Sequence, residues 1–433
     1  MNKQEKKELR QQIACQWLSE NYLQHDRLRH DIITDRLQVR IADSLEKDNA
    51  TPLSTSATPS ASALWRNLTD KDINTMVCNC VEETEVNVSV NEMWTALKSD
   101  RIPAVHPLRE WMQSLRPYSG QTDWIDFVAS QVKVKNNDNI DNNIPADRLW
   151  RICFKKWFVA MVASWLKDEV VNHTVLVLVG SQGIFKTTWL ESLIPPALRA
   201  YSSKLPLSGQ INKDDRLRLC ESGMLNIDEL DAICGREMNI VKSLLTSTDV
   251  NERAAYGRLK ERRVRLASFC ASTNKREFLT DITGNRRWLP FEVESIQNPF
   301  YTILPYEYMY AQALYLIEHD FNYWFDMEDI NVLEQHNEQF RSQDNEEQLL
   351  PILFDIPAEG RGQFMTTAQI SERLVSYGNI KKPMSVSQLG MLLGKAGYRA
   401  VQRSINGVRG RGGIVYQRNT DEINALKSIL KDG

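Results

Sequence analysis

Lys186 and Thr187 close the run "GSQGIFKTTW" (180–189), which directly follows the apolar segment "TVLVLV". With Gly180 and Gly183 they fit a phosphate-binding loop, G-x-x-x-x-G-K-[ST], except that Phe185 stands where the pattern has its last glycine. A buried strand, a glycine turn and a helix start present backbone N–H groups to phosphate oxygens. Lys186 would reach the β- and γ-phosphates of ATP and Thr187 would ligate Mg²⁺, with Thr188 beside them among the nucleotide contacts. Phe185 is expected at a helix start, where φ can be negative, its ring turned toward the base or a packing neighbour. The alternative is a strand-to-helix turn that binds nothing.

Three further groups follow in an order that suits nucleotide hydrolysis. "GMLNIDELDAI" (223–233) reads as a second buried strand ending in acids. Asp228 would contact Mg²⁺ and Glu229 would polarise the attacking water; the competing role is capping the next helix. "VRLASFCASTN" (264–274) reads as a third strand ending in Ser272, Thr273 and Asn274. Asn274 there would orient water and sense the γ-phosphate, because open α/β sheets bind ligands at that edge; a plain Asx turn competes. "TGNRRW" (283–288) supplies Arg286 and Arg287, either of which would stabilise transition-state charge, often from a neighbouring subunit, unless they are a surface pair. Between acids and sensor, "NERAAYGRLKERRVR" (251–265) holds six Lys/Arg against two Glu. Arg253, Tyr256, Arg258, Lys260 and Arg262 would make a basic loop with an aromatic tip for single-stranded DNA; a solvated charged helix face is the competing possibility.

"GSQGIFKTTWLESLIP", "NIDELDAI", "AAYGR" and "FCASTNKREFLTDITGNRRWLPFEV" together resemble the virulence-associated protein E family, over roughly residues 100–320. The resemblance implies a P-loop ATPase of phages and mobile elements, related to superfamily 3 helicases. It implies a motor on single-stranded or forked DNA, a homo-oligomeric ring and a separate primase as partner. It assigns Lys186 and Thr187 to the phosphate loop, Asp228 and Glu229 to the acidic pair, Asn274 to the sensor and Arg286 or Arg287 to the finger. Phe185 departs from the usual Gly-Lys ending, which bears on turnover more than on binding.

The elements that must hold these residues follow from patterning. The expected fold is α/β: a P-loop NTPase core (146–350) preceded by a hairpin-bearing helical segment (1–50), a linker (51–64) rich in Ser, Thr, Ala and Pro, and a helical region (65–134). "ADRLWRICFKKWFVAMVASWLKDE" (146–169) reads as a long apolar helix feeding the first strand. At 360–420, two capped helices precede a hairpin around the turn "GVRGRGG", a winged-helix pattern. Its second helix would enter a major groove, with Arg399, Arg403, Arg409 and Arg411 on phosphates; a protein-contact module is the alternative.

Composition sets the outer bounds. The 433 residues carry a formal net charge of −3, so any nucleic-acid surface must be local. No apolar run of about 18 residues occurs and no signal-peptide core follows the charged start, so a cytoplasmic protein without membrane contact is expected. Seven scattered cysteines suit free thiols better than a zinc site at Cys78 and Cys80. Residues 1–130 hold no acidic pair at a strand end, so primer synthesis is not expected of them.

Overall fold

The computed structural model describes residues 2–41, 65–136, 144–206, 212–227, 230, 235–252, 261–279, 285–342, 345–357, 362–380, 383–405 and 408–429. These form a mixed α/β protein in two compact units, one within 1–276 and 286–336, the other within 277–285 and 337–433.

In the first unit α1 (Lys3–Leu18) begins at a capping box between Asn2 and Glu5. The expected hairpin is present as β1 (Leu28–Asp31) and β2 (Arg36–Arg40). Residues 65–134 are not purely helical: β3 (Trp65–Asn67) pairs with β2, and β4 (Ala104–Val105) runs parallel to β1. Ala14, Trp17 and Leu18 of α1 share one core with α2 (Asp70–Thr84) and α3 (Val90–Leu97). Residues 2–41 and 65–105, expected as parts of separate segments, are therefore joined by one sheet and one core, whereas 107–134 pack into the core of the main sheet. α1 alone is too polar to bury a full face, so it needs those partners. Cys78 is exposed and Cys80 buried on α2, and no cluster of three His, Cys, Asp or Glu side chains suited to a metal occurs among the described residues.

α4 (Pro107–Gln113), α5 (Trp124–Ala129) and β5 (Val132–Val134) lead to α6 (Ala146–Leu166). α6 buries Trp150, Phe154, Trp157, Phe158 and Trp165 completely. Truncating any one of these would cost about 3–5 kcal/mol. The expected strand is β6 (Val175–Val179), every residue buried, as a central parallel strand requires. α7 (Lys186–Ser192), β7 (Ser202–Leu205), α8 (Lys213–Glu221), β8 (Met224–Ile227), α9 (Gly235–Thr246), the ribbon β9 (Asp249–Glu252) and β10 (Glu261–Val264), β11 (Ser268–Thr273) and β12 (Trp288–Ile296) follow. The main sheet has the order β5-β12-β6-β11-β8-β7, parallel except for β5. β7 was not anticipated; "SSKL" is short and polar and forms a strand only because β8 pairs with it. α10 (Tyr306–Glu318) and α11 (Met327–Asn337) pack beneath the sheet's apolar face and close the unit near residue 336, short of the expected 350.

The second unit holds α12 (Asn345–Leu353), β13 (Phe354–Asp355), β14 (Gln363–Thr366), α13 (Thr367–Gly378), α14 (Val386–Lys395), β15 (Arg399–Ile405), β16 (Val408–Gln417) and α15 (Thr420–Ile429). Thr366 and Ser385 cap α13 and α14, as their positions in the sequence suggested. The run 408–413 is strand, not turn: Arg403 pairs with Gly410, Gln402 with Arg411 and Val401 with Gly412. Glycine is required there by proximity. A Cβ on Gly412 would lie 2.0 Å from the Met365 carbonyl of β14.

Candidate functional site

The loop after β6 turns at Gly183, where φ is +86°, and closes at Phe185, where φ is +66°. The expectation of a negative φ at Phe185 is thus incorrect. The turn into α7 needs a left-handed residue, which is why the pattern has glycine there. A non-glycine residue held there stores on the order of 1 kcal/mol of strain. Its ring is half-buried and meets Phe300 edge-on, with centroids 6.3 Å apart. Gly180 runs close beneath β12, where an added Cβ would come within 3.1 Å of the Val293 carbonyl.

Lys186 is 7% exposed. Its ammonium donates to the carbonyls of Gly180 (2.8 Å) and Ser181 (2.7 Å) and to Asn274 Oδ1 (3.1 Å). Two residues picked out 88 positions apart are therefore in direct contact. β6 and β11 are adjacent and parallel, so both carboxyl ends meet at one sheet edge. Thr187 Oγ1 lies 2.9 Å from Ser272 Oγ, and Thr188 follows half-buried on α7. Ser272 belongs to the polar tip noted in the sequence but was not singled out; its pairing with Thr187 depends on strand order, which no local pattern encodes. β8 ends at Ile227, level with Ala271 of β11. Asp228 and Glu229 themselves lie outside the described residues.

The same edge holds a charged cluster missed in the sequence. Glu292 of β12 is level with Val179 and accepts from Lys135 Nζ (2.7 Å) and Arg276 Nε (3.2 Å). Arg286 and Arg287 are not in this group. β12 starts with Trp288 level with Val175, five residues before the loop, so the two arginines sit roughly 17 Å from the sheet edge that carries Gly180. Among the described residues neither makes an ion pair or hydrogen bond, and Arg286 is exposed. An arginine side chain cannot span that distance to the loop of its own chain.

The described ends of the basic segment, 251–252 and 261–264, lie in an antiparallel ribbon. Arg253, Tyr256, Arg258 and Lys260 lie outside the described residues. Arg262 is exposed and pairs with Asp249 at 2.7 Å. Arg263 bonds Glu221 and the Ile33 carbonyl. Arg265, counted with the basic run, is fully buried. It donates to the carbonyls of Asn172, Leu244, Leu245, Ser247 and Ala267 and stacks over Phe269. Burial pushes its pKa down to about 9, so it stays charged. It holds the core together and is not available to a ligand.

In the second unit, strand alternation places Arg399 and Arg403 on one face of β15, while Arg411 pairs with Gln402 on the other face; Arg409 is opposite Ser404. Arg399, Arg403 and Arg411 are exposed, and Arg403 stacks over Phe364 at 5.5 Å. α14, expected in a major groove, carries a single cation, Lys395, which is paired with Glu338. Its exposed large apolar side chains are Val386 and Met391, and its exposed Gln388 caps the helix through Ser385.

Residues 133–342, just under half the chain, match the virulence-associated protein E-like domain. The motifs that carry the resemblance all fall within this region, while the resemblance over roughly 100–320 starts before it. Two solved structures of the NrS-1 C terminal region in apo form align with most of the chain. One (305-718) has 11% identity, 91% of this chain and 97% of that chain covered, and a TM-score of 0.44. The other, the A form, has 11% identity, 90% and 96% covered, and a TM-score of 0.43. No curated protein matches the chain. Among the described residues no helix is long and apolar enough to cross a membrane.

Proposed function

We propose that this chain is an ATP-hydrolysing motor on DNA, a superfamily 3-like helicase or translocase serving replication of a phage or mobile element. The observation that carries this is the contact of Lys186 with Asn274 across β6 and β11, which joins a phosphate-loop lysine to a strand-end polar sensor. The residues fit Mg²⁺·ATP: Thr187 and Ser272 put two hydroxyls beside the loop, and position 228 directly follows β8. Mg²⁺, when bound, would neutralise charge on the phosphates. Lys186 would exchange its loop carbonyls for phosphate oxygens, Asn274 would hold the attacking water, and Glu229 would take its proton. Arg286 or Arg287 would act across a subunit boundary in a ring, since neither reaches the loop of its own chain. The ribbon β9–β10 and the arginines of β15 and β16 would contact DNA phosphates, the second unit acting as a winged helix through its hairpin and not through α14.

The N-terminal region suits a collar that contacts DNA, a separate primase or its ring neighbours. Its strand-end acid, Asp31, is committed to Tyr201 Oη, Thr34 Oγ1 and the Ile33 N–H. The left-handed Phe185 favours a second reading, a DNA-binding regulator or loader that binds ATP and hydrolyses it slowly. ATP turnover with and without single-stranded DNA separates the two. Stimulated turnover that is lost in Lys186→Ala, and lost with binding retained in Glu229→Gln, supports the motor. Binding without turnover supports the regulator, and equal nucleotide affinity of wild type and Lys186→Ala defeats both.

A further inference from the structure

β12 does not stop where β6 does. It continues four residues past Glu292, roughly 13 Å, to Ile296, so the turn that follows stands on the phosphate-loop side of the sheet. That turn is anchored at both ends. Gln297 N–H donates to the Gln131 carbonyl, Leu304 is buried, and Tyr306 Oη donates to the carbonyl of Ser192 at the end of α7. Asn298 holds the middle by accepting from the Phe300 N–H. Between these anchors the largest apolar side chains face outward: Phe300 is 76% exposed, Tyr301 87% and Ile303 91%. Exposed aromatic residues on a fixed turn call for a partner. Phe300 is also the ring that Phe185 meets, one residue before Lys186.

We infer that Phe300, braced edge-on by Phe185, is the stacking platform for the base of the nucleotide whose phosphates the loop holds. The inference rests on the phosphate-loop reading and extends it from phosphates to base. Continuity selects this occupant: the platform touches the residue preceding the phosphate lysine, so a ligand seated on one reaches the other. Stacking on rings tolerates any base, because every base has a π-face. Asn298 Oδ1 accepts from the Phe300 N–H, which commits that oxygen to the turn. ATP and GTP are therefore expected to bind with similar affinity, both more tightly than inorganic tripolyphosphate.

The test measures equilibrium affinities of the full chain for ATP, GTP and tripolyphosphate in wild type, Phe300→Ala, Phe300→Trp and Lys186→Ala. Phe300→Ala should weaken ATP and GTP about tenfold and leave tripolyphosphate unchanged, while Phe300→Trp retains the affinity. Unchanged ATP affinity in Phe300→Ala, with binding still dependent on Lys186, overturns the platform alone. Equal losses for ATP and tripolyphosphate overturn it as well, because the residue then acts through the loop. Unchanged ATP affinity with altered oligomeric state assigns the turn to a second copy of the chain. Failure of wild type to bind any of the three ligands overturns the phosphate-loop reading and the platform together.

Discussion

Lys186 and Arg265 are both buried cations that donate to backbone carbonyls, and their surroundings differ. Lys186 is a single ammonium on a flexible stem at the sheet's carboxyl edge, bonded to two loop carbonyls and to Asn274. Arg265 is a rigid fork whose donors are shared among five carbonyls from three separate stretches of chain. An ammonium can trade a carbonyl for a phosphate oxygen with little rearrangement; a guanidinium locked in its plane cannot. Burial of a positive charge therefore does not mark a site. Arg286 and Arg287, with no ion pair or hydrogen bond among the described residues, differ from both.

The largest expected effect is on Arg265. Arg265→Ala strands its five carbonyls and should cost about 3–5 kcal/mol of stability, with Arg265→Lys recovering only part. Denaturant unfolding checks this, and a loss as small as that of Lys186→Ala would erase the distinction. Next comes Arg286→Ala with Arg287→Ala, expected to lower ATP turnover about 10³-fold at unchanged stability. Mixing that variant with Lys186→Ala subunits should restore turnover through hybrid interfaces; full activity of a monomer at nanomolar concentration would exclude action in trans. Lys186→Ala should weaken nucleotide binding about 100-fold and change unfolding by less than about 1 kcal/mol, which calorimetry and denaturation read separately.

The smallest effect concerns a neutral group that serves the backbone. His106 caps α4 by accepting the Arg109 N–H on Nδ1, and burial, with Arg109 adding, pushes its pKa down to about 4. An unfolded histidine takes up its proton near pH 6.5. Stability is then complete above about pH 6.5 and declines as the pH falls toward 4, by about 1–2 kcal/mol at pH 5. His106→Asn keeps a cap and should flatten that slope in unfolding measured from pH 7 to 5.

Much of this was legible locally. The all-apolar β6, the capping residues of α13 and α14, the β1–β2 hairpin and the spacing of Gly180, Gly183, Lys186 and Thr187 depend on neighbours a few residues away. The sequence by itself determined that Lys186 follows a buried strand and that a polar tip ends β11. Only the tertiary structure decided that Phe185 is left-handed, that Gly412 and Gly413 lie in a strand against β14, that Thr187 meets Ser272, and that Arg286 and Arg287 lie at the opposite sheet edge from the loop. The physical reason is that a donor's fate depends on which acceptors reach it. For Arg265 one acceptor is the carbonyl of Asn172, 93 residues away, brought there by the strand order of the sheet.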